Sequence, residues 1–187
     1  NDVKVARSRR SQLKMVRIHV KHGDGDGSGS EQKEFLYDCS TTSPIEEIAP
    51  EISRISNLQS RIDRLVFELE PHLEPLHGDA KAVSLLRALS EAKSYASKDQ
   101  VVHNRPLSYH VLRNHVQALE RELNSVPQFQ KLFADVESSG EDLRQVCWAG
   151  KVLDRSKRLC DYIGANEKTK QTARCIRGTT NACKDGC

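Results

Sequence analysis

The fold of this chain is decided by a stretch near its start, residues 15–39, which reads MVRIHVKHGDGDGSGSEQKEFLYDC. Residues 15–22 alternate apolar and polar side chains, which is the two-residue period of a half-buried strand. The Gly, Asp and Ser run at 23–30 cannot bury apolar surface and predicts a flexible loop. The segment 34–39 then reads as a returning strand. Residues 15–39 therefore predict a β-hairpin with a long tip.

A long helix is predicted to follow the hairpin. We expect Ser43 to be its N-cap, with Pro44 at the first helical position and Glu46 completing a capping box. Apolar residues then recur at steps of three and four, the period of one helix face. They are Ile45, Ile48, Ile52, Ile55, Leu58, Ile62, Leu65 and Leu69. We expect a kink or two abutting helical segments at Pro50, and an end before Pro71. A hairpin followed by a helix opens a ubiquitin-like fold, but the pattern reveals none of the further strands.

The rest of the chain reads as helical. We expect one helix to begin at Asp79 and another to begin at Ser108. A third is expected to cover 141–164, with Gly164 as its left-handed cap. The last predicted helix covers 166–177. The predicted fold class is α+β, mainly α. Along the chain we expect a basic, disordered extension at 1–14, a ββα unit at 15–72, a linker at 73–78, an antiparallel helical bundle at 79–177 and a disordered tail at 178–187.

Composition narrows the class of protein. The chain has 187 residues, of which 37% are hydrophobic, 5% aromatic and 29% charged. It contains no run approaching ~18 apolar residues and no apolar segment in its first thirty residues, so we expect an intracellular, soluble protein with no membrane partner. Residues 1–22 carry seven Lys or Arg against Asp2, and residues 151–177 carry eight against three acids. Two basic ends therefore flank an acidic middle.

No motif points to catalysis. The Gly-rich run lacks the third glycine of a dinucleotide loop, and as a calcium loop it would place Phe35 where the bidentate Glu belongs. Zinc sites bring ligands in close pairs, which the cysteines do not form, so we expect no metal and reduced thiols. The cysteines are Cys39, Cys147, Cys160, Cys175, Cys183 and Cys187. We expect no enzymatic activity and no cofactor.

The densest segment is 153–170, which reads LDRSKRLCDYIGANEKTK. Its wording resembles that of Kurly, a cilia- and flagella-associated protein family. Residues 15–24, MVRIHVKHGD, are similar to the opening of that family, and the helices around 89–93 and 107–123 match it more weakly. Two departures are a much shorter link before residue 79 and a Cys-containing tail after Arg177.

The resemblance implies a non-catalytic, cytoplasmic factor for motile cilia, found also at the ciliary base, that assists assembly of axonemal outer dynein arms and cilium motility. Its partners would be other proteins: dynein-arm assembly factors, chaperones or tubulin. The contact surface we predict comprises Arg155, Lys157, Arg158, Asp161, Tyr162, Asn166, Glu167, Lys168 and Lys170. An exposed Tyr among charges is a common interface anchor. The other interpretation is that Tyr162 and Gly164 only cap a helix.

Two other functions remain open. A structural microtubule- or axoneme-associated protein could bring its basic ends to acidic tubulin tails. A nucleic-acid-binding module could use the same ends, but both basic segments are poor in the aromatic residues that stack on bases. We therefore rank nucleic acid binding below the axoneme-associated alternative.

Overall fold

The computed structural model describes residues 14–23, 32–76, 78–129, 144–164 and 171–177. Strand β1 covers Met15–His22 and strand β2 covers Lys33–Ser40. They pair antiparallel, with Ile18 opposite Tyr37, which confirms the predicted hairpin. The expectations for 1–13, 24–31 and 178–187 concern positions outside the described residues.

Helix α1, Ile45–Leu73, runs continuously through Pro50 and Pro71, so the predicted end before Pro71 is wrong. The hydrogen bonding at the start of α1 also differs from the prediction. The Ile45 N–H donates to the carbonyl oxygen of Lys157 at 2.9 Å, and not to the Ser43 hydroxyl. A distant segment of the chain therefore takes the place of the local cap.

In the described residues between α1 and residue 129, the helices are α2 at Ala80–Ala96, α3 at Asp99–Val102 and α4 at Tyr109–Asn124. Short 3₁₀ turns cover Glu74–Leu76 and Pro127–Phe129. The Asp79 carboxylate accepts the Lys81 N–H at 2.8 Å, which confirms the predicted cap of α2. Ion pairs join α2 to α1 through Lys93 and Glu70 at 3.0 Å, and α4 to α1 through Arg61 and Glu120 at 3.2 Å.

The helix predicted over 141–164 is wrong in its described part. Residues Arg144–Trp148 form strand β3, Lys151–Val152 form strand β4, and only Cys160–Ile163 are helical, as helix α5. Between β3 and β4, Ala149 has φ 46° and Gly150 has φ 74°. Two successive residues with positive φ make the tight turn whose twist suits an antiparallel hairpin. The turn therefore prevents a helix here.

Residues Gln171–Arg177 form strand β5, so the helix predicted over 166–177 is also wrong there. Strand β5 runs parallel to β1, with Val20 opposite Ala173, and antiparallel to β3, with Val146 opposite Cys175. The described residues thus form a five-stranded sheet in the order β2-β1-β5-β3-β4. Residues 144–177 therefore add strands to the N-terminal sheet and do not extend a helical bundle.

This strand order, with α1 following the first hairpin, is that of a ubiquitin-like fold. Helices α2 to α4 are inserted between α1 and β3. The predicted class, α+β and mainly α with a hairpin at its start, is confirmed. The division of the chain at 73–78 stays a prediction. Within the described part of the chain, no helix is long and apolar enough to span a bilayer.

The turn at Ala149 provides a test that separates a hairpin from a helix. A residue with a Cβ pays a steric cost in the left-handed region that Gly avoids, so Ala149→Gly should stabilise the protein by about 0.5–1 kcal/mol. The matched control is Ala88→Gly within α2, which should destabilise by about 1 kcal/mol. Urea unfolding measures both free energies. A loss at Ala149 equal to that at Ala88 would contradict the hairpin.

Candidate interaction surface

The segment that follows β4 crosses the junction between β2 and α1. Besides the bond from Ile45 to Lys157, the Leu159 N–H donates to Ser43 O at 3.1 Å and the Cys160 N–H donates to Thr41 O at 2.8 Å. Leu153 and Leu159 are 7% and 2% exposed, so both ends of the crossing segment are buried in the core. We call the residues between them, 154–158, the basic loop. Its backbone is held at both ends.

Two carboxylates shape the basic loop, one inside it and one in helix α5. Asp154 accepts hydrogen bonds from the Ser156 N–H at 2.9 Å and from the Ser156 hydroxyl at 2.8 Å. These two donors, the backbone one first, lower the pKa of Asp154. Asp161 accepts the Arg158 N–H at 2.9 Å. Both carboxylates therefore stabilise the turn by accepting backbone N–H groups.

Tyr162 closes the loop from the other side. Its hydroxyl oxygen accepts the Asp154 N–H at 2.8 Å, and its half-buried ring packs against the core. The Lys157 ammonium lies 5.8 Å from the ring centroid, within range of a cation–π contact. Gly164 has φ 69° and its N–H donates to Cys160 O at 2.9 Å, ending α5. The capping interpretation of both residues thus has a geometric basis, while their contact with a partner stays a prediction.

The cations of the loop face solvent. Arg155, Lys157 and Arg158 are all exposed, and within the described part of the chain no carboxylate lies in ion-pairing distance of them. Arg17 provides a contrast, since its guanidinium forms two 2.7 Å bonds with the Asp38 carboxylate. The basic loop therefore offers three exposed cations that form no ion pair with the described residues.

The structure brings five of the nine predicted contact residues together, namely Arg155, Lys157, Arg158, Asp161 and Tyr162. The other four, Asn166, Glu167, Lys168 and Lys170, lie outside the described residues. Thr41 and Ser43, which support the loop, were missed. Their role depends on carbonyl groups that meet the loop only in the folded chain, so no local sequence signal could have identified them.

The described cysteines lie in different surroundings. Cys147 is disulfide-bonded, so the expectation of reduced thiols is wrong for this residue. Cys39 and Cys160 are free thiols. Burial above all, with the charges of Asp38 and Glu51, raises the pKa of Cys39 to about 12, which keeps its thiol protonated and unreactive at neutral pH. Among the described residues, no three His, Cys, Asp or Glu side chains are grouped so that they could hold a metal ion.

Comparison with known proteins finds relatives that are named as cilia- and flagella-associated proteins. The chain is 27% identical over 206 residues to cilia- and flagella-associated protein 298-B of Xenopus laevis, covering 83% of this chain and 72% of that protein. It is 24% identical over 227 residues to cilia- and flagella-associated protein 298 of Homo sapiens, covering 86% and 76%. For the Danio rerio protein of that name, identity is 25% over 223 residues, covering 83% and 74%.

These similarities extend over most of the chain and support the cilia-associated part of the resemblance seen in the sequence. The names of these relatives do not include Kurly. No protein-family model matches the chain, and no solved structure matches it.

The bond from Asp154 to Tyr162 gives a prediction about the loop. Tyr162→Phe keeps the ring and removes the hydroxyl, which should cost about 0.5–1.5 kcal/mol of unfolding free energy and speed hydrogen exchange at the Asp154 amide. Urea unfolding and NMR measure the two effects.

The matched control is Tyr109→Phe. Tyr109 is a half-buried tyrosine of α4 whose ring lies 6.0 Å from the Arg54 guanidinium. This change should leave exchange at Asp154 unaltered. Equal exchange in both variants would show that the Tyr162 hydroxyl does not hold the loop.

Proposed function

We propose that this chain is a non-catalytic protein-interaction factor of motile cilia or flagella that assists assembly of axonemal outer dynein arms. The observation that carries the proposal is the similarity to cilia- and flagella-associated protein 298, which covers 83% to 86% of the chain in the compared relatives. The basic loop adds a surface suited to binding. The protein acts in the cytoplasm and at the base of the cilium, where its partners are arm-assembly factors or chaperones.

The geometry of the basic loop suits recognition of an acidic protein surface. Arg155 and Arg158 each present a planar fork of donors that matches a carboxylate, and Lys157 adds a point charge. The loop backbone is held at Lys157 by the Ile45 N–H, and the residues directly after the loop are held by the carbonyls of Ser43 and Thr41. Little conformational entropy therefore remains to be lost from that backbone on binding. Charge complementarity of this kind raises the association rate and selects partners.

A microtubule- or axoneme-bound structural protein is the second candidate, because the same cations could meet acidic tubulin tails. Extraction of axonemes with high salt separates the two candidates, since an assembly factor is recovered in the soluble fraction. Nucleic acid binding is disfavoured by the surroundings of Tyr162. Its ring packs on the core and lies near Lys157, so it offers a poor stacking platform for a base.

The proposal is tested by complementation in a ciliated organism whose own relative has been disrupted. The wild-type chain should restore outer dynein arms, seen by electron microscopy, and normal beating. The combined variant Arg155→Glu, Lys157→Glu and Arg158→Glu should restore few arms, because the loop then repels an acidic partner.

The matched control reverses three other exposed cations, Lys81, Arg113 and Arg121, on α2 and α4. It changes the net charge equally and should restore arms like the wild type. Intact arms after disruption of the gene would contradict the proposed function. Full rescue by the loop variant would contradict the role of the basic loop alone.

A further inference from the structure

Ser156 lies in the middle of the basic loop. Ser156 is exposed, and its described hydrogen bonds, from the N–H and from the hydroxyl, both go to the Asp154 carboxylate in the same turn. The bonds that hold the loop to the rest of the protein lie on either side, at Asp154 and Lys157. The hydroxyl is therefore accessible, and the turn around it can open without breaking the attachment of the loop.

Cationic residues flank Ser156 on both sides. Arg155 precedes it, and Lys157 and Arg158 follow it, all exposed and without a described carboxylate in ion-pairing distance. Ser90 differs from Ser156 in its position and in its neighbours. It lies within helix α2 and not in a loop, and an acidic residue, Glu91, follows it. Charge patterns around an acceptor serine are what kinases use to select substrates, and a kinase with an acidic substrate groove is complementary to this loop.

We propose that Ser156 is a phosphorylation site for a protein kinase that prefers basic residues around its target serine. We further propose that this phosphorylation prevents the basic loop from binding its partner. In the transfer, Ser156 Oγ forms a bond to the γ-phosphorus of ATP while the bond from that phosphorus to the β–γ bridging oxygen breaks. The hydroxyl proton passes to the catalytic base of the kinase, and ADP leaves. The kinase supplies ATP and Mg²⁺.

The phosphate would change the loop in two ways. It removes the hydroxyl donor that Asp154 now accepts at 2.8 Å and places about −1.5 to −2 charges beside that carboxylate, so the turn is driven open. It also offers acceptor oxygens to Arg155, Lys157 and Arg158. The three cations and the phosphate together then carry about +1, where the three cations alone carry +3. The loss of partner binding that follows rests on the proposed function of the loop, whereas the modification itself does not.

The modification is tested on the folded, full-length chain with the catalytic domain of protein kinase C, ATP and Mg²⁺. Peptide mapping by mass spectrometry locates the phosphate, since Ser8 and Thr169 also lie among basic residues. We expect phosphate on Ser156, none at this position in Ser156→Ala, and a several-fold slower rate in Arg158→Gln. Ser90→Ala and Arg87→Gln are the matched controls and should leave the rate at Ser156 unchanged.

A synthetic peptide of residues 151–163 is treated in parallel. Modification of the peptide without modification of the folded chain would overturn the proposal, because the folded loop would then exclude the kinase. Absence of phosphate on both would overturn it as well, since the sequence would then not be recognised.

The switch is tested by complementation with Ser156→Glu and the neutral variant Ser156→Gln. We expect Ser156→Glu to restore several-fold fewer dynein arms than Ser156→Gln. Equal rescue would overturn the switch and leave the proposed function standing. Intact arms after gene disruption would overturn the proposed function and leave the phosphorylation of Ser156 standing.

Discussion

The burial of helix α1 on both of its flanks is the constraint on which the rest of this structure depends. One flank packs on the sheet and the other packs on α2 and α4, and Ile52, Ile55 and Ile62 at its centre are at most 1% exposed. Gln59 lies in the same buried zone. Its amide nitrogen donates to Ala96 O at 2.6 Å and to Glu34 O at 3.3 Å, and its Oε1 lies 2.7 Å from His22 Nε2. Because a buried amide is costly unless it is hydrogen-bonded, this one group fixes the sheet and the inserted helices relative to α1.

The candidate surface follows from the same helix. The N-terminal end of α1 needs an acceptor for its first free N–H, and the Lys157 carbonyl provides it. The acceptor comes from the segment that leaves the sheet after β4, so the basic loop is attached where the core meets the surface. Its cations are therefore presented from a rigid base, although the loop itself is fully on the outside of the protein.

Sequence patterns predicted the elements whose signals are local. The alternation in β1, the three- and four-residue steps of α1 and the Asp79 cap of α2 are each contained in a short stretch. Strands β3 and β4 were missed because Val146 and Val152 fit a helical as well as a strand period, and because Ala149 is not a usual residue for a turn with positive φ. The identity of the exposed cations was predictable, whereas their attachment to Thr41 and Ser43 depends on contacts between distant parts of the chain.

Burial of α1 on the sheet requires a complete sheet, so the central claim of this account is that β5, by pairing with β1, stabilises the hairpin and α1. Two truncated chains, comprising residues 1–177 and 1–170, test it directly through urea unfolding and hydrogen exchange at the β1 amides. In the presence of a thiol reductant, so that the Cys147 disulfide contributes to neither chain, the account predicts that the 1–170 chain, which lacks β5, is less stable than the 1–177 chain and exchanges its β1 amides much faster. Equal stability and equal protection in the two truncated chains would contradict it.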